Sequence, residues 1–309
     1  MHFKRKNFIL DGVATKRDFV ELDYVTYELL PLDPLDEKIG RGINSSVFFA
    51  KRADDDDNEC LVIKICNFSD DTESEKNLKR IKRFEREIEA LKKVRSMSAE
   101  NRVVELITDG KIEFNNRYYR CYIMEKGDYT LNGFLEHEQD LGLQQKLLLC
   151  LELLHSFKQL HEVGIYHRDI KPENILSCNG IWKVADLGLI AYRNEDFSID
   201  DYNEKIGPWP WMSPEATNKK LALQHCITPY NIDCYIDDKS DVFQLGKIFW
   251  FILQGEIPNG ILTSRDLHIT NDSIYGNLLK PALCFNKFDR PTIPELINKM
   301  RPLGIRYGL

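Results

Sequence analysis

An α+β fold in two lobes is what this 309-residue sequence predicts: a small strand-rich lobe with one long helix, then a larger, mainly helical lobe. Three observations lead there. Residues 36–126 alternate short β-like runs, SSVFFAK, CLVIKIC and RYYRCYIME. Among them, LKRIKRFEREIEALKKV (78–94) carries Leu78, Ile81, Phe84, Ile88, Leu91 and Val94 at three- and four-residue steps, the mark of one apolar helix face. From about residue 141 the spacing turns mainly helical, with breaks near 164–182 and 186–215.

Each element follows in chain order. Residues 1–35 read as an N-terminal extension in which FVELDYVTYELL (19–30) alternates well enough to add one extra strand. The basic opening, MHFKRKNFILDG, has too short an apolar run for a signal peptide. Asp54–Asp57 reads as solvated charge at a hairpin turn. SDDTESE, ahead of the long helix, supplies capping groups and acids where the helix dipole favours them. The strand-rich lobe covers 36–126 and the helical lobe 127–309. Within the latter, LLLCLELL (147–154) and KIFWFILQG (247–255) are core helices, because both are far shorter than a membrane span and have charges in or beside them.

Composition excludes several classes. With 43% hydrophobic and 29% charged residues the chain is an ordinary globular one, and its net charge of -7 argues against nucleic acid as the main partner. Eight cysteines without a CxxC pair suggest buried thiols in a reducing compartment, so the expected location is cytoplasmic. His225, Cys226 and Cys234 lack the fourth ligand and the tight spacing of a closed zinc site.

The chemistry concentrates in a few loops. HRDIKPENIL (167–176) crowds Asp169, Lys171 and Asn174 into one rigid segment that Pro172 keeps from becoming a helix. Asn174, with Asp186 of DLG, offers the sparse oxygen ligation that magnesium accepts. Asp169 is then free to take a proton from an incoming hydroxyl, and Lys171 to neutralise charge on a transferring phosphoryl group. In KIGRGINSSV (38–47), Gly40 and Gly42 let backbone amides approach an anion, although a plain hairpin turn would read the same way. Lys64 ends the buried-type strand LVIK and needs a partner, which Glu87 on the long helix can supply; the alternative is a lysine that snorkels outward.

Taken together, GRGINSSV (40–47), Lys64 of LVIK, Glu87, HRDIKPEN (167–174), DLG (186–188), MSPE (212–215), SDVFQLG (240–246) and DRPT (289–292) resemble, in order, the motifs of eukaryotic-type protein kinases. The resemblance spans 36–292 and is closest to the serine/threonine branch. It implies a bilobal kinase domain over 36–309 that uses ATP and Mg2+, with Mn2+ able to substitute, on protein substrates. Gly40, Gly42 and Ser45 would cover the phosphates, and Lys64, held by Glu87, would contact them. Asn174 and Asp186 would hold the metal, with Asp169 as the base. Met124 would be the gatekeeper, with the Glu125 to Gly127 backbone pairing with adenine between Val47 and Val62 above and Leu176 below. Leu91, His167 and Leu187 would form an apolar column, and Glu215 with Arg290 a buried ion pair.

Some positions depart from the family pattern. Ser45 replaces the third loop glycine, Leu187 the usual phenylalanine, and Val62 the usual alanine. Pro208 stands where serine/threonine members carry a threonine that bonds the catalytic Asp and Lys, a feature similar to the tyrosine-specific branch. Lys171 points the other way and lies nearer the chemistry, so serine/threonine specificity is expected, with dual or tyrosine-directed specificity as the alternative. A pseudokinase binding module would typically lack Lys64, Asp169 or Asp186, and a small-molecule kinase would lack SPE and Lys171.

Arg168 marks members whose activation loop is ordered by an anion. Glu195, Asp196, Asp200, Asp201 and Glu204 could serve, and Tyr192, Ser198, Tyr202 and Ser213 are the candidate phosphoacceptors. The lengthened segment 218–238 is either an ordinary loop or a partner contact.

Overall fold

The computed structural model describes residues 1–4, 6–11, 18–36, 38–54, 59–97, 101–193, 205–224, 232–269 and 272–308. They divide into two compact units, Met1–Gly127 and Asp128–Leu309. Among the described residues, no helix is long and apolar enough to cross a membrane.

The first unit opens with a small hairpin, β1 (His2–Lys4) and β2 (Asn7–Ile9). Next come β3 (Asp18–Leu22), β4 (Val25–Leu30), β5 (Ser45–Arg52) and β6 (Cys60–Ser69), then α1 (Glu75–Met97), β7 (Leu106–Phe114) and β8 (Arg117–Met124). Six of these strands form one antiparallel sheet in the order β3-β4-β5-β6-β8-β7. The segment expected to be one strand, 19–30, is two. Asp23 and Tyr24 both take positive φ, 52° and 62°, which folds the run into a two-residue hairpin. Simple alternation cannot reveal that break, because the period of two continues on either side of it. Of the acidic run, Asp54 faces Arg52 at 3.6 Å and the remainder lies outside the described residues.

Period-two alternation gives the sheet two different faces. Ile63, Ile65, Cys121 and Ile123 pack with Leu29, Phe48, Ala50 and Phe8 of β2 in the unit's apolar core. Val62, Lys64 and Tyr122 point the other way, where Phe84 of α1 meets the Tyr122 ring at 5.5 Å. The helix buries Ile81, Phe84, Ile88, Leu91 and Val94, as its spacing predicts; Leu78, by contrast, is exposed.

In the second unit, β9 (Tyr129–Thr130), α2 (Leu131–His137) and α3 (Leu143–Glu162) precede β10 (Ile165–Tyr166). The short strands β11 (Ile175–Cys178), β12 (Ile181–Val184) and β13 (Ala191–Tyr192) follow. The rest is helical: α4 (Pro214–Gln224), α5 (Asp238–Gln254), α6 (Asp272–Ile274), a π-helical turn (Tyr275–Leu279) leading into α7 (Lys280–Ala282), and α8 (Ile293–Tyr307). LLLCLELL lies within α3 and KIFWFIL within α5, and both are largely buried. Asp237 caps α5 by accepting the Lys239 and Ser240 amides. Beyond α4, His225 and Cys226 lie outside the described residues. The far end of the 218–238 segment is anchored, because Lys287 reaches Asp233 at 2.9 Å and Asp237 at 3.1 Å.

Candidate active site

β5 and β6 position the first group of sequence-predicted residues. Gly40, at φ 84°, lets its carbonyl accept the Val47 amide at 2.8 Å; a Cβ there would collide with the Val47 carbonyl oxygen. The Gly42 amide donates to the Ser45 carbonyl at 2.9 Å, which closes the hairpin on its own backbone. In register, Val47 faces Lys64 and Val62 faces Met124. The Glu125 amide donates to the Glu105 carbonyl at 3.0 Å, and its carboxylate accepts the Glu105 amide at 2.6 Å. Gly127 ends the unit.

Lys64 does not snorkel. Its ammonium meets both oxygens of Glu87, at 2.7 and 3.0 Å, and the Tyr122 hydroxyl donates to Glu87 Oε1 at 3.0 Å. Lys64 is 8% exposed and Glu87 2%. A buried ammonium is tolerable only with such pairing.

In the second unit, the loop after β10 gathers the second group. The Asn174 side-chain amide donates to the Asp169 carbonyl at 2.9 Å and to its Oδ2 at 3.0 Å; the Lys171 ammonium lies 3.3 Å from the same oxygen. Two consequences follow. Asp169 Oδ1 is left without a hydrogen bond among the described residues. Asn174 Oδ1, fixed by the two donations, is likewise an unengaged oxygen. Asp186 follows β12 with φ 56°, a left-handed conformation rare outside glycine, and its side chain is exposed. Leu176, on β11, is half-buried beside Thr130. Burial pushes the Asp169 carboxyl above its ordinary range, against the pull of Lys171, while Asp186 adds to the rise.

Behind this loop stands an acid whose role sequence reasoning missed. Asp241 of α5, fully buried, accepts the backbone amides of His167 (2.7 Å) and Arg168 (2.8 Å), and meets His161 Nε2 at 2.9 Å. It lies inside SDVFQLG, where an acid leading an apolar helix is the one available signal. Tyr122 and Asn67 were missed too, being polar groups in otherwise apolar strands. His167 Nδ1 accepts the Asp169 amide at 3.2 Å, so its proton is on Nε2, donated to the Ala185 carbonyl at 3.1 Å.

Arg168, at φ 65°, spends its guanidinium on the carbonyls of Leu189 (2.7 Å) and Ile190 (3.0 Å). The carboxylates suggested for it, Glu195 to Glu204, lie outside the described residues, as do Ser198 and Tyr202. Ser213 is buried and its hydroxyl accepts the Ala216 amide at 3.3 Å. Glu215 and Arg290 form the expected pair at 2.7 and 3.1 Å. Arg290 also donates to the Cys284, Lys239 and Phe285 carbonyls, so its whole guanidinium is engaged.

Comparison with known proteins adds a family. The protein kinase domain model matches residues 34–300. The dual specificity protein kinase TTK of Mus musculus is 24% identical over 303 residues, covering 93% of this chain and 33% of that protein. Serine/threonine-protein kinase MPS1 of Saccharomyces cerevisiae is 27% identical over 253 residues, covering 81% of this chain and 30% of its own length. Serine/threonine-protein kinase CHK1 of the same yeast is 34% identical over 148 residues, which is 46% of this chain and 26% of that protein. The chain thus spans about a third of the length of the first two relatives.

Proposed function

The chain belongs to the protein kinase domain family, and from that premise we propose that it transfers the γ-phosphoryl group of Mg-ATP to serine and threonine hydroxyls of protein substrates. The setting of Asp169 carries the proposal. One carboxylate oxygen is held by Asn174 and Lys171, which leaves Oδ1 to orient an incoming hydroxyl and accept its proton. Lys171 then balances negative charge on the group in transfer. Lys64, aligned by Glu87, has its ammonium set to contact phosphate oxygens.

Asn174 Oδ1 and the exposed Asp186 carboxylate form an all-oxygen donor pair of the kind Mg2+ takes, and Mn2+ accepts the same donors. When bound, the metal supplies charge neutralisation and in-line orientation of the phosphates. The adenine-side residues Val47, Val62, Met124, Glu125, Gly127 and Leu176 belong to the same proposal, as does phosphate coverage by Gly40, Gly42 and Ser45.

Lys171 favours serine and threonine acceptors. Pro208, which supplies no hydroxyl to Asp169, and the dual specificity for which the mouse relative is named favour a second reading in which tyrosine is also used. Cytoplasmic residence is part of the proposal, supported by described cysteines that are all free thiols.

The test is transfer of labelled γ-phosphate from ATP with Mg2+ to a mixed protein substrate, with Asp169→Asn as control and phosphoamino-acid analysis of the product. Phosphoserine and phosphothreonine, lost in the variant, are expected. Nucleotide binding without transfer would identify a pseudokinase and end the proposal.

A further inference from the structure

Lys247 sits where a lysine is costly. It follows Gly246 in α5, at the point where that helix packs so closely on α7 that a Cβ on Gly246 would stand 2.9 Å from the Ala282 Cβ. The side chain is 8% exposed. Its ammonium donates to the Pro210 carbonyl at 2.6 Å, and among the described residues no carboxylate pairs with it. A buried ammonium with one neutral acceptor is incompletely compensated.

Beside it is a cavity of about 620 Å³, within the roughly 300–1,000 Å³ range of small-molecule sites. Its apolar wall includes Met212, Phe243, Leu262 and Leu283, with Ile261 and Phe285 exposed nearby. In a chain of net charge -7 this cavity is lined by two lysines, Lys247 and Lys280, and by no described acid. An apolar chamber with a cation in its wall is complementary to one class of ligand.

We propose that this cavity is a binding site for a small amphipathic carboxylate, its apolar body among Met212, Phe243, Leu262 and Leu283 and its head group on the Lys247 ammonium. The site is distinct from the kinase residues proposed above and needs none of their chemistry. Burial lowers the Lys247 ammonium to about 8, so it is the charged partner below that pH and fades above it. Of the elements lining the cavity, Pro214, Thr217 and Asn218 of α4 and the 209–212 and 258–262 segments present no ionisable side chain to it, whereas the helical stretch 275–285 presents Tyr275, Lys280 and Cys284. Burial raises the Tyr275 hydroxyl, and Lys280 is exposed.

The experiment is calorimetric titration of the full chain with decanoate and with decan-1-ol as its uncharged counterpart, at pH 7 and pH 9. Decanoate should bind about tenfold or more tightly than decan-1-ol at pH 7 and lose that advantage at pH 9. Lys247→Met, which keeps the volume and removes the charge, should bind both equally at both pH values. No decanoate binding to the native chain, equal binding of acid and alcohol, or an undiminished preference in Lys247→Met would overturn the proposal. Because Lys247→Met could repack the cavity, Lys280→Met provides a second check: it should retain the preference for the acid, and loss there would move the head group away from Lys247.

Discussion

Asn67 Nδ2 donates to the carbonyl of Gly42 at 2.9 Å, tying the glycine hairpin to the strand that carries Lys64. The same amide nitrogen reaches Asn7 of β2 at 2.9 Å, and Asn67 Oδ1 accepts from the Ser46 hydroxyl at 2.7 Å. Asn67 is therefore a buried clamp between the N-terminal hairpin, the glycine hairpin and β6. Asn67→Leu, which roughly keeps the size and removes the donor without adding a charge, should raise the KM for ATP about fivefold, the equivalent of about 1 kcal/mol. Steady-state kinetics with varied ATP checks this. An unchanged KM would show that the hairpin does not need the clamp.

The Glu215–Arg290 pair should dominate single-site stability in the second unit. Removing one partner of a buried pair strands the other charge, which costs about 3–5 kcal/mol. Glu215→Gln should therefore lower the urea midpoint strongly. Arg290→Lys should also be poorly tolerated, because lysine cannot reproduce the fork that serves Glu215 and three carbonyls. A Glu215→Gln midpoint within error of the native chain would contradict the pairing.

The pH–rate profile follows from Asp169. With Asp169 as the proposed base, its carboxyl, raised by burial, keeps the protonated form that cannot accept a proton to higher pH than an ordinary aspartate would. Turnover should rise with pH through that raised value and then level off. Lys171 is the largest influence opposing the rise. Lys171→Met should thus shift the acid limb of kcat/KM to higher pH as well as lower the plateau. A lower plateau with no shift in the limb would mean that Lys171 does not act on Asp169.

How much of this was legible in the sequence varies by residue. The α1 face could be read from its spacing, and Lys64 with Glu87 from the cost of an unpaired buried ammonium. The grouping of Asp169, Lys171 and Asn174 was visible because all three lie within one short loop. The split of 19–30 at Asp23 and Tyr24 was not, since left-handed φ at non-glycine residues leaves no mark on hydropathy. Nor was the convergence on Asp241, whose bonds cross more than seventy positions of chain to reach His167 and Arg168. Lys247 was read as a charge beside a core helix. Its burial without an acid depends on which elements pack around it, which local spacing does not encode.

Tyr122 supplies the last test, because its hydroxyl reaches Glu87 Oε1 at 3.0 Å from within the sheet. The bond keeps the carboxylate turned toward Lys64 and satisfies part of its buried charge. Tyr122→Phe removes that donor and leaves the ring packed on Phe84, so the helix face should survive. The expected loss in kcat/KM is about tenfold to a hundredfold, the worth of one hydrogen bond to a charged group at about 1.5–3 kcal/mol. Glu87→Gln should lose considerably more, since it removes the charge itself and strands the Lys64 ammonium. If Tyr122→Phe and Glu87→Gln are equally impaired, the hydroxyl does more than orient the pair. If Tyr122→Phe matches the native chain, the hydroxyl does not align the carboxylate.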